Sequence, residues 1–143
     1  MERYMALDIG DKTIGVAVSD ALNMTAQGIT TLQRVSYKKD FQALEEIINQ
    51  YQVTTIIVGL PKKMDGSIGI QAEKVQQYVK KMSYHFKQAI IYQDERLTTT
   101  MAERMLIDGN VRRDKRKTVI DKLAAVNILS TYLEKGKKNG TIY

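Results

Sequence analysis

Three acidic residues, Asp8, Glu95 and Asp121, stand where their neighbours give little structural reason for a charge. Asp8 closes the apolar run Arg3 to Leu7 and precedes Ile9-Gly10, where a glycine lets a partner come close to the backbone. Glu95 follows Ile90-Ile91-Tyr92 within Gln93-Asp94-Glu95-Arg96-Leu97-Thr98-Thr99. Asp121 opens a helical stretch whose same-face neighbours Ala124, Ala125, Ile128 and Tyr132 are apolar. A carboxylate on a buried face is costly unless it is paired or holds a cation. If the three converge, two carboxylates about 4 Å apart repel by roughly 4 kcal/mol at an effective dielectric near 20. Such a cluster needs a cation or splays apart. Hard divalent ions accept a few carboxylates together with substrate phosphate, and paired ions can activate water and stabilise a leaving oxygen. The chemistry indicated is hydrolysis of phosphodiester bonds.

Each residue also has an ordinary reading. Asp8 suits a turn cap, and Glu95 suits a surface pair with Arg96 or a nearby lysine. Asp121 fits a capping box, Thr118-x-x-Asp121, ahead of an apolar run. What the three share is position, at the carboxyl ends of strands and on a facing helix, where open α/β sheets place their sites.

The elements that must position them follow from periodicity. Arg3–Leu7, Ile14–Val18 and Gly28–Val35 read as strands with short connections, and so as an antiparallel meander. Phe41, Leu44, Ile47, Ile48 and Tyr51 then recur at helical spacing, with Asp40 in the place of a cap. Thr54–Val58 is a β-branched run closed by Gly59, the pattern of a buried parallel strand. A helix is expected over about Ile68–Tyr84, a strand over Ala89–Tyr92, and helices over Thr98–Ile107 and Thr118–Leu133. Three strands followed by alternating helices and strands give a mixed sheet with helices on both faces. The length of 143 residues suits one domain over 1–143.

Composition narrows the partners. The chain has no cysteine, which excludes disulfides and thiolate metal sites, and no run suits a signal peptide or a membrane span. The expected setting is the cytoplasm, with no membrane partner. Lys plus Arg number 22 against 16 for Asp plus Glu, a net charge of +6 that suits a polyanion. Arg112, Arg113, Lys115, Arg116 and Lys117 crowd one stretch leading into the helix that bears Asp121. Such a run serves either as a solvated loop or as a clamp that holds phosphates without reading bases. Lys62 and Lys63 could extend the clamp. Arg96 could steady Glu95 or a phosphate, and the lone His85 beside Tyr84 and Phe86 reads as a packing or surface residue.

Ala6-Leu7-Asp8-Ile9-Gly10-Asp11-Lys12-Thr13-Ile14-Gly15-Val16-Ala17-Val18-Ser19-Asp20 resembles the opening of the YqgF family, also called RuvX. So do Gly59-Leu60-Pro61, Met64-Asp65-Gly66-Ser67, Asp94-Glu95-Arg96-Leu97-Thr98-Thr99, and Arg112-Arg113 through Asp121-Lys122-Leu123-Ala124-Ala125, in that order. The resemblance implies a ribonuclease H-like fold similar to RuvC resolvase, a five-stranded mixed sheet in the order 3-2-1-4-5. It implies a metal-dependent nuclease, a hydrolase acting on ester bonds, with Asp8, Glu95 and Asp121 as catalytic and metal-binding positions. Mg²⁺ or Mn²⁺, two ions with substrate bound, would be the cofactor. The implied role is maturation of the 5′ end of pre-16S ribosomal RNA, and the alternative is resolution of Holliday junctions in branched DNA. Nucleic-acid contacts are then expected from Lys12, Arg96, Arg112, Arg113, Lys115, Arg116 and Lys117, in a monomer or a homodimer. The family usually carries Lys-Arg-Ile-Gly where this chain has Lys12-Thr13-Ile14-Gly15, which puts one phosphate contact in doubt.

Two other classes compete. Asp8-Ile9-Gly10-Asp11-Lys12-Thr13 resembles the phosphate hairpin of actin-like and sugar-kinase ATPases, but the chain has length for only one of their two lobes. A non-catalytic RNA-binding assembly factor would keep the basic surface, yet it gains nothing from three acids beside phosphates.

Overall fold

Alternation along the first strand decides which residues meet which helix. The computed structural model describes residues 2–94 and 113–139. In β1 (Tyr4–Ile9), Met5, Leu7 and Ile9 enter one buried cluster and Tyr4 and Ala6 enter another. Successive strand side chains point to opposite faces, so Asp8 shares a face with Tyr4 and Ala6. β2 (Thr13–Ser19) splits the same way, with Ile14, Val16 and Val18 on the first face and Ala17 on the second.

The remaining elements are β3 (Ala26–Gln33), α1 (Tyr37–Tyr51), β4 (Thr55–Leu60), α2 (Ile70–His85), β5 (Ala89–Asp94) and α3 (Arg113–Asn139). The sheet order is β3-β2-β1-β4-β5. β1 and β3 each pair antiparallel with β2, whereas β1–β4 and β4–β5 are parallel. This is the expected mixed sheet, with α1 and α2 over one face and α3 over the other.

Each layer has a distinct apolar set. Phe41, Leu44, Ile47 and Ile48 of α1 and Ala72, Val75, Tyr78 and Met82 of α2 pack against Leu7, Val16, Ile56 and Val58. On the other face Ala125, Ile128, Leu129, Tyr132 and Leu133 cover Tyr4, Ala6, Ala17 and Ile57, with the Tyr4 and Tyr132 rings edge to face at 5.4 Å. Burying each large aliphatic side chain contributes about 1.5–3 kcal/mol, enough to fix α3 on the sheet.

Several boundaries differ from those the sequence suggests. β3 starts at Ala26, two residues early, because Asp20 closes the preceding turn: its backbone N–H donates to Thr25 O and its carboxylate accepts from Met24 N. Ser36 rather than Asp40 caps α1, accepting from Lys39 N at 3.2 Å. The last helix begins at Arg113 rather than Thr118, so Thr118-x-x-Asp121 is no capping box, and Asp121 lies more than two turns inside the helix. Arginine and lysine are good helix formers, so a dense basic run is compatible with a helical start. The helix expected over 98–107 lies outside the described residues.

One close approach sets the depth of α3. A Cβ added at Gly15 would lie 2.5 Å from the carbonyl carbon of Asp121, and the obstruction is backbone that cannot swing away. Gly15→Ala is therefore expected to lift this part of α3 and destabilise the fold by about 2–3 kcal/mol, read as a lowered urea midpoint. An unchanged midpoint would show that the helix does not sit on Gly15.

Candidate active site

The two ends of the sheet differ. At one, Ser19 Oγ accepts from Tyr4 N at 3.0 Å and donates to Asn23 Oδ1 at 2.7 Å, while Asn23 reaches Glu2 O. That end is tied shut by structural bonds. The carboxyl ends of β1 and β4 lie at the other, and Asp8 is there.

Asp8 pairs in register with Gly15, and the backbone of Asp121 rests on Gly15. Opposed residues of an antiparallel pair lie about 4.5–5.5 Å apart at Cα, so Asp8 and Asp121 flank the same glycine on the same face. Both side chains are half-buried. The Thr13 hydroxyl, from the first residue of β2, donates to Asp121 Oδ2 at 2.5 Å and fixes the carboxylate on the sheet side of α3. The structure thus places two of the three expected acids beside Gly15 on one face of the sheet; the third, Glu95, lies outside the described residues.

The turn that follows Asp8 is held from the side. Gly10 N donates to Thr13 O, Arg34 N donates to Lys12 O at 2.8 Å, and Arg34 Nη1 donates to Gly10 O at 2.7 Å. Arg34 is itself seated, its guanidinium 4.5 Å from the centre of the Tyr78 ring and its Nε 3.9 Å from Asp40 Oδ2. Asp40 is buried at 5% exposure and also accepts from Val35 N and the Tyr78 hydroxyl. Burial first, and then the Asp40 charge, push the Tyr78 phenol well above its ordinary pKa, so it stays a donor. A cavity of about 290 Å³ lined by Asp11, Arg34, Tyr37 and Asp40 lies beside this network, on the α1 side of the sheet rather than the α3 face.

The basic residues divide. Lys12 is exposed at the tip of the Gly10–Lys12 turn. Arg113, Lys115, Arg116 and Lys117 belong to the first turns of α3, in helix rather than loop, and lead directly to Asp121. Arg96 and Arg112 lie outside the described residues. Lys62 and Lys63 sit in a compact β4–α2 connection closed by Lys63 N to Ser67 O and by Asp65 accepting from Ser67. His85 is exposed, lies against Phe41 and Phe86 and is 3.6 Å from Glu45, a surface residue with packing contacts, within the packing-or-surface reading of its context.

The donor set suits a hard cation: two carboxylates on one face, a hydroxyl orienting one of them, and no sulfur. Among the described residues no group of three acids, histidines or cysteines gathers, here or elsewhere. Sequence reasoning missed Thr13 and Arg34. In the sequence Thr13 stands out only as a departure from the family's usual arginine, and the spacing of Arg34 from Gly10 carries no local signal.

The family described as "RuvX: Holliday junction resolvase" matches residues 2–135. A protein of Thermoanaerobacter pseudethanolicus named as a pre-16S rRNA nuclease is 54% identical over 136 residues, 94% of this chain and 98% of its own. One of the same name from Caldanaerobacter subterraneus is 51% identical over 138 residues, 96% of this chain and 99% of its own. In fold, the chain is similar to T. thermophilus RuvC in complex with a Holliday junction, with a TM-score of 0.58 at 8% identity, covering 97% of each chain. It is similar also to the Fowlpox virus resolvase with its junction DNA, with a TM-score of 0.53 at 16% identity, covering 93% of this chain and 97% of that one.

Removing the Arg34 side chain leaves Asp40 buried beside one fewer donor and frees the Gly10 carbonyl. Arg34→Ala should lower stability by about 1–3 kcal/mol, with Arg34→Lys recovering only part because it lacks the planar fork. Equal urea midpoints for wild type and Arg34→Ala would remove Arg34 from the support of the turn.

Proposed function

Because the chain belongs to the RuvX family, we propose that it is a divalent-metal-dependent nuclease that processes the 5′ end of pre-16S ribosomal RNA. The observation that supports this reading is the placement of Asp8 and Asp121 beside the same residue, Gly15, on the face covered by α3. Relatives about half identical over nearly the whole chain are named for that activity. The surplus of basic charge suits a nucleic-acid substrate.

Asp8 and Asp121 would hold the metal, with Glu95 as the third ligand. When bound, Mg²⁺ or Mn²⁺ supplies Lewis acidity at the phosphoryl group and a stronger water nucleophile. The protein's share is positional. Thr13 orients Asp121, the Arg34 clamp fixes the turn after Asp8, and α3 delivers Arg113, Lys115, Arg116 and Lys117 along the helix that carries Asp121. These cations, with Lys12, Arg96 and Arg112, would neutralise phosphates and set the strand's register.

Cytoplasm is the proposed setting; no helix among the described residues is long and apolar enough to cross a membrane. A second reading, cleavage of branched DNA, is favoured by the description of the matched family. It requires two active sites in one symmetric complex, and so a homodimer, whereas trimming of an RNA end needs only a monomer.

Asp8→Asn and Asp121→Asn should each slow cleavage about 100-fold or more while leaving RNA affinity within about threefold, because each change removes a ligand charge and keeps the shape. Precursor rRNA and a four-way DNA junction offered in parallel, with Mg²⁺, Mn²⁺ or chelator, check this. Cleavage of the RNA with metal is expected. Cleavage of the junction alone would favour the resolvase reading, and full activity in both variants would overturn the nuclease site.

A further inference from the structure

We infer that Thr13 is a positioning residue for the metal site, its hydroxyl fixing Asp121 so that the other carboxylate oxygen is presented beside Asp8. The inference rests on the nuclease site proposed above and adds a residue to it.

The hydroxyl donates to Oδ2 of Asp121 across 108 residues of sequence, at the short end of the range for a charge-assisted bond. A threonine hydroxyl carries one donor proton, so spending it on Oδ2 sets the carboxylate plane and leaves Oδ1 outside the bond. Thr13 is well placed to stay put. Its carbonyl accepts from Gly10 N, its residue opens β2 opposite Gln33, and branching at Cβ restricts its χ1. Alternation puts Thr13, Gly15 and Ala17 on one face, so the hydroxyl arises two residues from the glycine on which Asp121 rests. The turn clamped by Arg34 therefore fixes both carboxylates, Asp8 through the chain preceding Gly10 and Asp121 through Thr13.

Threonine in place of the family's usual arginine changes the donor without removing it, since either side chain can donate to a carboxylate. A hydroxyl does so without adding positive charge next to a metal ligand. In this chain the position therefore acts on the acid, not on substrate phosphate.

Mn²⁺ binding, followed by calorimetry without nucleic acid, separates this role from packing when wild type is compared with Thr13→Val and Thr13→Ser. Thr13→Val keeps the shape and loses the donor, so Mn²⁺ affinity should fall about 10–100-fold. The Mn²⁺ concentration for half-maximal cleavage of precursor rRNA should rise by the same factor, with KM for RNA unchanged. Thr13→Ser keeps the donor and should stay within about threefold of wild type. Wild-type Mn²⁺ affinity in Thr13→Val overturns the inference, as does Thr13→Ser failing as badly as Thr13→Val. If Thr13→Val does not fold, Thr13→Ala against Thr13→Ser makes the same comparison. Asp121→Asn is the control: loss of Mn²⁺ binding there with none in Thr13→Val discards Thr13 alone, whereas retained binding and cleavage in Asp121→Asn discard the site itself.

Discussion

The backbone of α3 at Asp121 rests directly on the α-carbon of Gly15, and the separation of helix and sheet at that point governs the candidate site. Any side chain at 15 would force the helix outward by more than a bond length, whereas glycine lets two backbones touch. The contact is paid for by the apolar seam farther along α3, where Ala125, Ile128, Leu129 and Tyr132 lock onto Tyr4, Ala6 and Ile57. Ala124 and Ala125, both fully buried, keep the axis close as the helix runs on from the contact. Packing along one half of α3 thus sets the position of a carboxylate in the other.

Hydrogen bonds then turn proximity into orientation. Asp8 is fixed by the β1–β2 register, and the turn beyond it is clamped by Arg34, which depends on Tyr78 in α2 and on Asp40 in α1. The α1–α2 layer therefore reaches the turn after Asp8 through the Arg34 guanidinium and through Lys74 of α2, which pairs with Asp11 at 3.3 Å. A buried carboxylate such as Asp40 is costly without partners, and here its two oxygens meet a backbone N–H, a phenol and an arginine.

The strand order, the two-faced sheet and the placement of Asp8 at a strand end were legible because alternation and β-branched runs are local signals. The apolar stripe of Ala124, Ala125, Ile128 and Tyr132 likewise marked the buried face of α3. The start of α3 was not legible: the basic run to Lys117 reads as loop or helix alike, since charge alone does not separate a loop from a helical turn. Asp40 looked like a cap because it precedes an apolar period, while Ser36 takes that role and Asp40 is drawn inward by Tyr78, 38 residues away. Thr13 to Asp121 and Arg34 to Gly10 are tertiary bonds, and no spacing rule announces them. Glu95, expected from its place after an apolar strand and from the family resemblance, lies outside the described residues.

A shared cation between Asp8 and Asp121 is most directly tested by anomalous diffraction from crystals soaked in Mn²⁺. Convergence of the two carboxylates predicts a manganese peak about 2.1 Å from an oxygen of each, on the face covered by α3. Manganese bound only elsewhere, or Asp8 and Asp121 oxygens directed into separate regions, would contradict it.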